Sequence, residues 1–121
     1  MEFLRRNAEY FERKALEAFE EKAYGFAVYF AEQALQLYLK YILAKEVGDY
    51  PETRSFSQLF RALSRIDEHA EAFYEENADV LDILEDSYIG VRYLGREYSL
   101  RSAERSLKLL SRFREVFGDR L

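Results

Sequence analysis

Apolar residues recur at intervals of three and four positions along most of the chain, which is the pattern of amphipathic helices. A first helix is predicted over about residues 2–22, with an inward face of Phe3, Leu4, Ala8, Phe11, Ala15 and Phe19. Gly25 is expected at the joint that follows it. A second helix, about 24–47, is apolar around most of its circumference, and its narrow polar strip consists of Tyr29, Gln33, Gln36 and Lys40. Such a helix belongs at the centre of a bundle or in a subunit interface.

Turn and capping residues divide the rest of the chain into further helices. Gly48 to Pro51 ends the second helix, and Ser55 to Gln58 has the spacing of a capping box. The third helix runs to Ile66, and either continues through Tyr74 or breaks near Asp67. Asn77 and Ser99 are predicted to cap a fourth and a fifth helix. The inward positions of these three helices are Phe56, Leu59, Phe60, Leu63 and Ile66, then Val80, Leu81, Leu84, Tyr88 and Val91, then Leu100, Ala103, Leu107, Leu110, Phe113 and Phe117.

The fold class follows from these patterns. No segment alternates apolar and polar residues as a strand would, and there is no internal repeat. The chain is therefore expected to be an all-α antiparallel bundle of about five helices, with residues 1–121 in one domain. Hydrophobic residues make up 49% of the chain and charged residues 34%, which is typical of a folded globular protein. Ten Tyr and ten Phe residues supply large rings for its core. The abundance of Arg and Glu resembles the composition of thermophile proteins.

Composition also excludes several kinds of site. The chain has no Cys, so disulfides, thiolate zinc sites and cysteine nucleophiles are excluded. Because His69 is the single histidine and the glycines are scattered, we expect no nucleophilic triad, no phosphate-binding glycine loop, no metal and no cofactor. No apolar run is long enough to span a bilayer, and the first residues do not resemble a targeting signal, so a cytoplasmic location without membrane contact is expected.

Two charged stripes of opposite sign are predicted on helix faces that point away from the core. Apart from His69, every charged residue from Asp67 to Asp86 is acidic, whereas Arg101, Arg105, Lys108 and Arg112 form a basic stripe. The net charge of −5 disfavours a generally nucleic-acid-binding surface but allows a local basic face. Each stripe is explained most simply as a solvated face. The alternatives for the basic stripe are phosphate, an acidic protein or the acidic stripe of another subunit.

Several segments together resemble a known family. The helix FAVYFAEQALQLYLKYIL followed by PETRSFSQL resembles the second helix and the Pro-x-Thr-His-type turn of HEPN domains. YIGVRY, from Tyr88 to Tyr93, resembles the signature that ends their fourth helix, and AERSLKLL suits their last helix. The resemblance implies a four-helix up-and-down core that usually forms a homodimer. Many relatives act with a minimal nucleotidyltransferase in a two-component, often toxin–antitoxin, system.

Other members of the family are metal-independent ribonucleases with an Arg-x(4–6)-His motif assembled across the dimer. Arg92 matches the arginine by position, but no histidine follows at that spacing. The segment from Arg65 to His69 has an arginine and a histidine, but their spacing is one residue shorter than the motif requires. It also lies in a different helix from the one in which the family has its motif. Arg54 also stands where the family often has a histidine. Because the histidine of the motif is missing, the resemblance favours a protein without enzymatic activity.

The residues that the resemblance selects could still bind a phosphate-bearing ligand. Arg92 and Arg96 would hold phosphate and Tyr93 would stack on a base, with Lys40 and Arg54 as further binding residues. Alternatively, Arg92 bonds helix-end carbonyls or acids.

Arg92 and Tyr98 are the weak catalytic candidates. Arg92 could stabilise charge, but a tyrosine with an ordinary pKa of about 10 is a poor base near neutral pH. We expect a non-catalytic nucleotide- or RNA-binding partner of a nucleotidyltransferase. The alternatives are a divergent metal-independent ribonuclease and a module that only dimerises.

Overall fold

The computed structural model describes all residues 1–121 and confirms the predicted all-α class. The elements are α1 Glu2–Glu20, α2 Tyr24–Val47, α3 Phe56–Ser64, α4 Ala70–Glu76, α5 Ala78–Tyr93 and α6 Leu100–Phe117, followed by a 3-10 turn at Gly118–Arg120. None of these helices is both long and apolar enough to cross a membrane.

Helix α2 is the centre of the bundle, as its all-round apolar surface predicted. It packs against α1, α3, α5 and α6. The contact with α1 is the most extensive, because small side chains meet there: Ala8 and Ala15 of α1 are fully buried, as are Ala27 and Ala31 of α2. Small residues let two helix backbones approach closely, so a long contact buries many atoms.

Aromatic rings hold the short helices α3 and α4 onto α6. The ring centroid of Phe73 lies 5.6 Å from that of Phe60 and 5.4 Å from that of Phe117. Phe113 and Phe117 are 4.8 Å apart. Such pairs contribute about 0.5–1.5 kcal/mol beyond the area they bury. Short helices have little stability of their own, so this packing keeps α3 and α4 in place.

The chain has six α-helices where about five were expected, because the segment after Ser64 breaks and restarts at Ala70. The Asp67 carboxylate accepts the backbone N–H of His69 at 2.8 Å. It also accepts a hydrogen bond from Arg120 Nε at 2.7 Å. These bonds stabilise a turn where a longer helix would otherwise continue.

Two of the three predicted caps are confirmed. The hydroxyl oxygen of Ser55 accepts the N–H of Gln58 at 3.2 Å, and that of Ser99 accepts the N–H of Ser102 at 3.0 Å. Asn77 also lies at the predicted N-cap position of α5, but its side chain makes no capping hydrogen bond to that helix. Its amide donates to the carbonyl of Phe73 at 2.8 Å, so it closes the end of α4 while α5 begins without a side-chain cap.

Some local predictions near helix ends are also wrong. Phe3 is 52% exposed and Leu100 is 47% exposed, although both were expected to point inward. In the first turn of α1 the neighbouring Leu4 takes the buried position instead, and the first buried residue of α6 is Ala103. Gly25 lies inside the first turn of α2, whereas the joint is at Glu21–Ala23, where Lys22 has a left-handed φ of 62°. Gly48 ends α2 with a φ of 96°, which a glycine adopts without strain.

Candidate functional site

A polar stripe on α2 faces the turn before α3 and the last turns of α5. Tyr29, Glu32, Gln36 and Lys40 follow one another at helical spacing, so they share one side of α2. Arg54 of the turn and Tyr88 and Arg92 of α5 lie against this stripe. We call these residues the arginine–tyrosine cluster: Tyr29, Glu32, Gln36, Lys40, Arg54, Tyr88 and Arg92.

An ion pair between Arg54 and Glu32 joins the turn to α2. Arg54 Nη2 donates to both Glu32 oxygens, at 2.7 and 2.9 Å. The Gln33 amide donates to Glu32 Oε1 at 2.7 Å. The Gln36 amide donates to the backbone carbonyl of Arg54, also at 2.7 Å. Arg54 is therefore fastened through both its side chain and its main chain.

The Glu32 carboxylate is fully buried, and this burial dominates its acidity. Loss of hydration raises the pKa of Glu32 above its ordinary value, although Arg54, Gln33 and Gln36 act in the opposite direction. Burial, followed by the charge of Arg54, lowers the pKa of Lys40. Lys40 and Arg54 are thus close enough for their charges to repel each other.

Two guanidinium groups lie against the ring of Tyr88. The Arg54 guanidinium carbon is 3.5 Å from the ring centroid and that of Arg92 is 4.9 Å from it. Arg92 is exposed, also lies 4.8 Å from the Tyr93 ring centroid, and donates from Nη2 to the Tyr93 hydroxyl at 2.8 Å. Its hydrogen bond goes to a tyrosine and not to a carboxylate or a helix-end carbonyl. The positive charge of Arg92 therefore faces solvent beside two aromatic rings.

Arg96 and Tyr98 belong to a different group of side chains. Arg96 Nε lies 3.2 Å from Asp86 Oδ2, and the Tyr98 hydroxyl donates to the same carboxylate. The backbone N–H of Arg96 donates to the carbonyl of Gly90 at 2.9 Å. Asp86 and Tyr88 point about 200° apart around α5. Of the predicted binding residues, the structure brings Arg92, Tyr93, Arg54 and Lys40 together but places Arg96 on another side of the helix.

The contacts of Tyr98 make it a hydrogen-bond donor. Burial, together with the bond to Asp86 and the charge of that carboxylate, raises the pKa of the Tyr98 hydroxyl above its ordinary value. A phenol that holds its proton more tightly than usual cannot accept a proton near neutral pH. Tyr98 therefore lacks the properties of a general base.

The structure adds Glu32 to the site, which the sequence prediction had left out of the polar strip of α2. The signal was present, because an acid in the middle of a nearly all-apolar helix requires a partner if it is buried. Arg54 is the cation in the turn that supplies this partner. The ring platform at Tyr88 was also absent from the predicted binding residues, although Tyr88 lies one helical turn before Arg92.

One ion pair, between Arg105 and Asp79, joins the two charged stripes within the chain. Asp86 of the acidic stripe pairs instead with Arg96, and Arg112 Nη1 of the basic stripe lies 3.1 Å from Glu115 Oε2 of its own helix. Within residues 1–121, no three His, Cys, Asp or Glu side chains converge as a metal site would require. His69 contacts Asp67 and Glu68 and takes no part in the arginine–tyrosine cluster.

A separate cavity of about 330 Å³ lies between α3 and α4. The charged residues of its lining are Arg61, Glu71 and Glu75. The uncharged ones are Ser57, Ser64, Phe60 and Tyr74. Since acids outnumber the single cation, this cavity is not suited to a phosphate. The arginine–tyrosine cluster is the better candidate for an anionic ligand.

A family model described as "HEPN domain" matches residues 1–120 of the chain. Neither a curated protein nor a solved structure is similar enough to give a significant match.

Proposed function

The chain belongs to the HEPN domain family, and we propose that it binds a nucleotide or RNA through the arginine–tyrosine cluster as a non-catalytic partner of a minimal nucleotidyltransferase. The observation that carries this proposal is the pair of guanidinium groups on the ring of Tyr88.

Phosphate recognition is the chemistry that this pair suits best. A guanidinium forms two parallel hydrogen bonds with phosphate oxygens. Arg54 keeps part of its side chain exposed, and Arg92 has no carboxylate partner. Lys40 adds a third positive charge to a cluster whose buried acid is Glu32. An anion entering this surface would find more positive charge than negative charge.

The base of a nucleotide would have aromatic surface beside the phosphate. Tyr93 is 65% exposed and adjoins Arg92, so one face of its ring is open for stacking. Stacking on an aromatic side chain contributes about 1–3 kcal/mol per base and depends little on its identity. The cluster therefore fits a phosphate and an unpaired base, as a free nucleotide or single-stranded RNA would present them.

The residues at the position of the family's ribonuclease motif support a non-catalytic role. The residues from Tyr93 to Ser99 include no histidine, and the Tyr98 hydroxyl donates a hydrogen bond to Asp86. Arg92 could stabilise negative charge but would have no partner to move a proton. A ribonuclease activity is therefore the less favoured function.

The proposed setting is a toxin–antitoxin-type two-component system in the cytoplasm, as the family resemblance implies. Its test is purification of the tagged protein from its native host, followed by mass spectrometry of the proteins and nucleotides that accompany it. We expect a nucleotidyltransferase and bound nucleotide or RNA. Recovery of the protein alone, in native buffer at low salt, would contradict the partnership.

We also propose that the functional unit is a homodimer of single-domain subunits. One cluster of buried hydrophobic side chains extends through all six helices, which supports one domain for residues 1–121. Large apolar side chains nevertheless remain exposed near the start of α2 and the end of α5: Phe26, Ile89, Tyr93 and Leu94. A second subunit would cover such residues. This surface adjoins Arg92, so a dimer would also enclose the cluster.

A further inference from the structure

We propose that Glu32 is a positioning residue that fixes Arg54 as the preorganised phosphate anchor of the arginine–tyrosine cluster. This inference rests on the proposed function and assigns different tasks to the two arginines. Arg54 would hold phosphate from a fixed position, and Arg92 would close on it from the exposed end of α5.

Arg54 needs such help because of where it lies. It belongs to the segment between α2 and α3, which has no regular secondary structure at this point. A free arginine in such a segment samples many rotamers and loses that freedom when it binds. Here Arg54 Nη2 is hydrogen-bonded to Glu32, and its guanidinium group packs on the ring of Tyr88. The backbone carbonyl of Arg54 accepts a hydrogen bond from Gln36. Most of the ordering has therefore taken place before a ligand arrives.

The remaining surface of the guanidinium is available to a ligand. Both bonds to Glu32 come from Nη2, and the Arg54 side chain is still 40% exposed. In addition, Arg54 Nε and Gln36 Oε1 are buried without hydrogen-bond partners. Gln36 itself is only 2% exposed. Because these two atoms are buried, a phosphate would bind the exposed part of the Arg54 guanidinium and not these atoms.

A buried carboxylate is otherwise hard to explain in a site for anions. Its negative charge weakens the attraction of the cluster for phosphate, and its own burial is unfavourable, as the raised pKa of Glu32 shows. A positioning role explains both features, because the geometry of Arg54 depends on this carboxylate. The two effects of Glu32 on binding have opposite signs, so a single substitution separates them.

The test is calorimetric titration of the full chain with ATP and with a short oligouridine RNA. The proteins are the wild type, Glu32→Gln and the control Glu104→Gln, which removes an equal charge from an exposed position on α6. Positioning predicts that Glu32→Gln binds about 3- to 30-fold more weakly than the wild type, while Glu104→Gln changes little. Tighter binding by Glu32→Gln would show that the carboxylate acts only through its charge, and would overturn the inference while leaving the proposed function intact. A wild type that binds neither probe would instead contradict the proposed function.

Gln36→Met provides a second test that leaves the charge of the site unchanged and keeps a side chain of similar size. Loss of the bond to the Arg54 carbonyl should also weaken binding, and unaltered affinity in a variant with wild-type melting would count against positioning. A double-mutant cycle completes the design. In the Arg54→Ala background, Glu32→Gln should no longer weaken binding, because Glu32 acts through Arg54. An equal loss in both backgrounds would mean that Glu32 supports the fold in general.

Discussion

The guanidinium carbon of Arg54 lies 3.5 Å from the centroid of the Tyr88 ring. This contact joins the turn before α3 to the face of α5 that carries Arg92. Cation–π contacts contribute about 0.5–1 kcal/mol at exposed sites and more where water is excluded. Because Glu32 holds the same guanidinium from α2, two other parts of the chain, α2 and α5, fix Arg54. A cation from an irregular segment thereby gains a fixed position, as the proposed binding of phosphate needs.

The first prediction concerns the pH dependence of stability that Glu32 contributes. Burial raises the pKa of Glu32 above its ordinary value of 4.5. The Glu32 carboxyl therefore holds its proton more tightly in the folded protein than in the unfolded chain. The contribution of Glu32 to stability is fully present below pH 4.5 and is lost as the pH rises through the folded-state pKa. Urea denaturation of wild type and Glu32→Gln from pH 4 to pH 7 measures this contribution, since the other titrating groups are common to both proteins.

We expect the stability of Glu32→Gln relative to the wild type to increase as the pH rises through this window. The opposite trend would mean that the ion pair with Arg54 outweighs burial and lowers the pKa of Glu32.

The second prediction concerns Tyr98. Burial and the bond to Asp86 raise the pKa of its hydroxyl, so this tyrosine should ionise later than an exposed one. A spectrophotometric titration of the wild type minus that of Tyr98→Phe isolates the step, which we expect above the ordinary value of 10. A step below that value would make Tyr98 available as a base.

The wild-type protein should cleave no RNA in the presence of a chelator. Cleavage that is abolished by Arg92→Ala would favour the ribonuclease function.

The arginine–tyrosine cluster and the separate group of Arg96, Tyr98 and Asp86 show how far the sequence could predict this site. Arg92 and Arg96 are close in the chain, but the turn at Leu94 and Gly95 places Arg96 on Asp86, away from Arg92. Sequence spacing along a helix could not foresee this, because it describes one helix face at a time. Glu32 was missed for a related reason: its partner Arg54 lies in another element, and the bond forms only when the turn folds back onto α2.

The fold was predictable where local signals decide it. Helix α2 has the predicted bounds because its apolar surface and Gly48 are both local features. The break between α3 and α4 depends on Asp67, whose carboxylate is held by Arg120 from the far end of the chain. The spacing of apolar residues along a helix does not reveal a contact between residues so far apart in the sequence. The sequence therefore allowed either one continuous helix or a break near Asp67.

The third prediction is that the protein forms a homodimer through the exposed end of α5. Light scattering at micromolar concentration should give about twice the 14.4 kDa of one chain. Leu94→Arg should shift the protein towards the monomer, because it puts a charge on a surface that dimerisation would bury. Val47→Arg is the matched control, since Val47 is also exposed but ends α2 far along that helix from Phe26. A purely monomeric wild type would contradict the prediction.

The fourth prediction is that neither folding nor binding requires a metal ion. Two acids of the acidic stripe are already engaged, as Asp79 is paired with Arg105 and Asp86 with Arg96, and no three potential metal ligands converge. Elemental analysis should find no stoichiometric metal, and a chelator should leave the melting temperature unchanged. A bound metal whose removal lowers that temperature would show that a site forms from residues that do not converge in the subunit.

The binding role of Arg92 is the central claim, and calorimetric titration with ATP, AMP and a short RNA tests it most directly. A hydrogen bond to a charged group contributes about 1.5–3 kcal/mol, so Arg92→Ala should bind about ten- to a hundredfold more weakly than the wild type. Arg92→Lys should recover part of this loss, because lysine restores the charge without the two-pronged geometry. Arg101→Ala is the matched control, since Arg101 is exposed on α6. We expect it to bind almost as the wild type does, as we also expect of Arg105→Ala. Folded Arg92→Ala that binds with wild-type affinity would contradict the claim, and equal losses from Arg92→Ala and Arg101→Ala would replace the cluster with a diffuse basic surface.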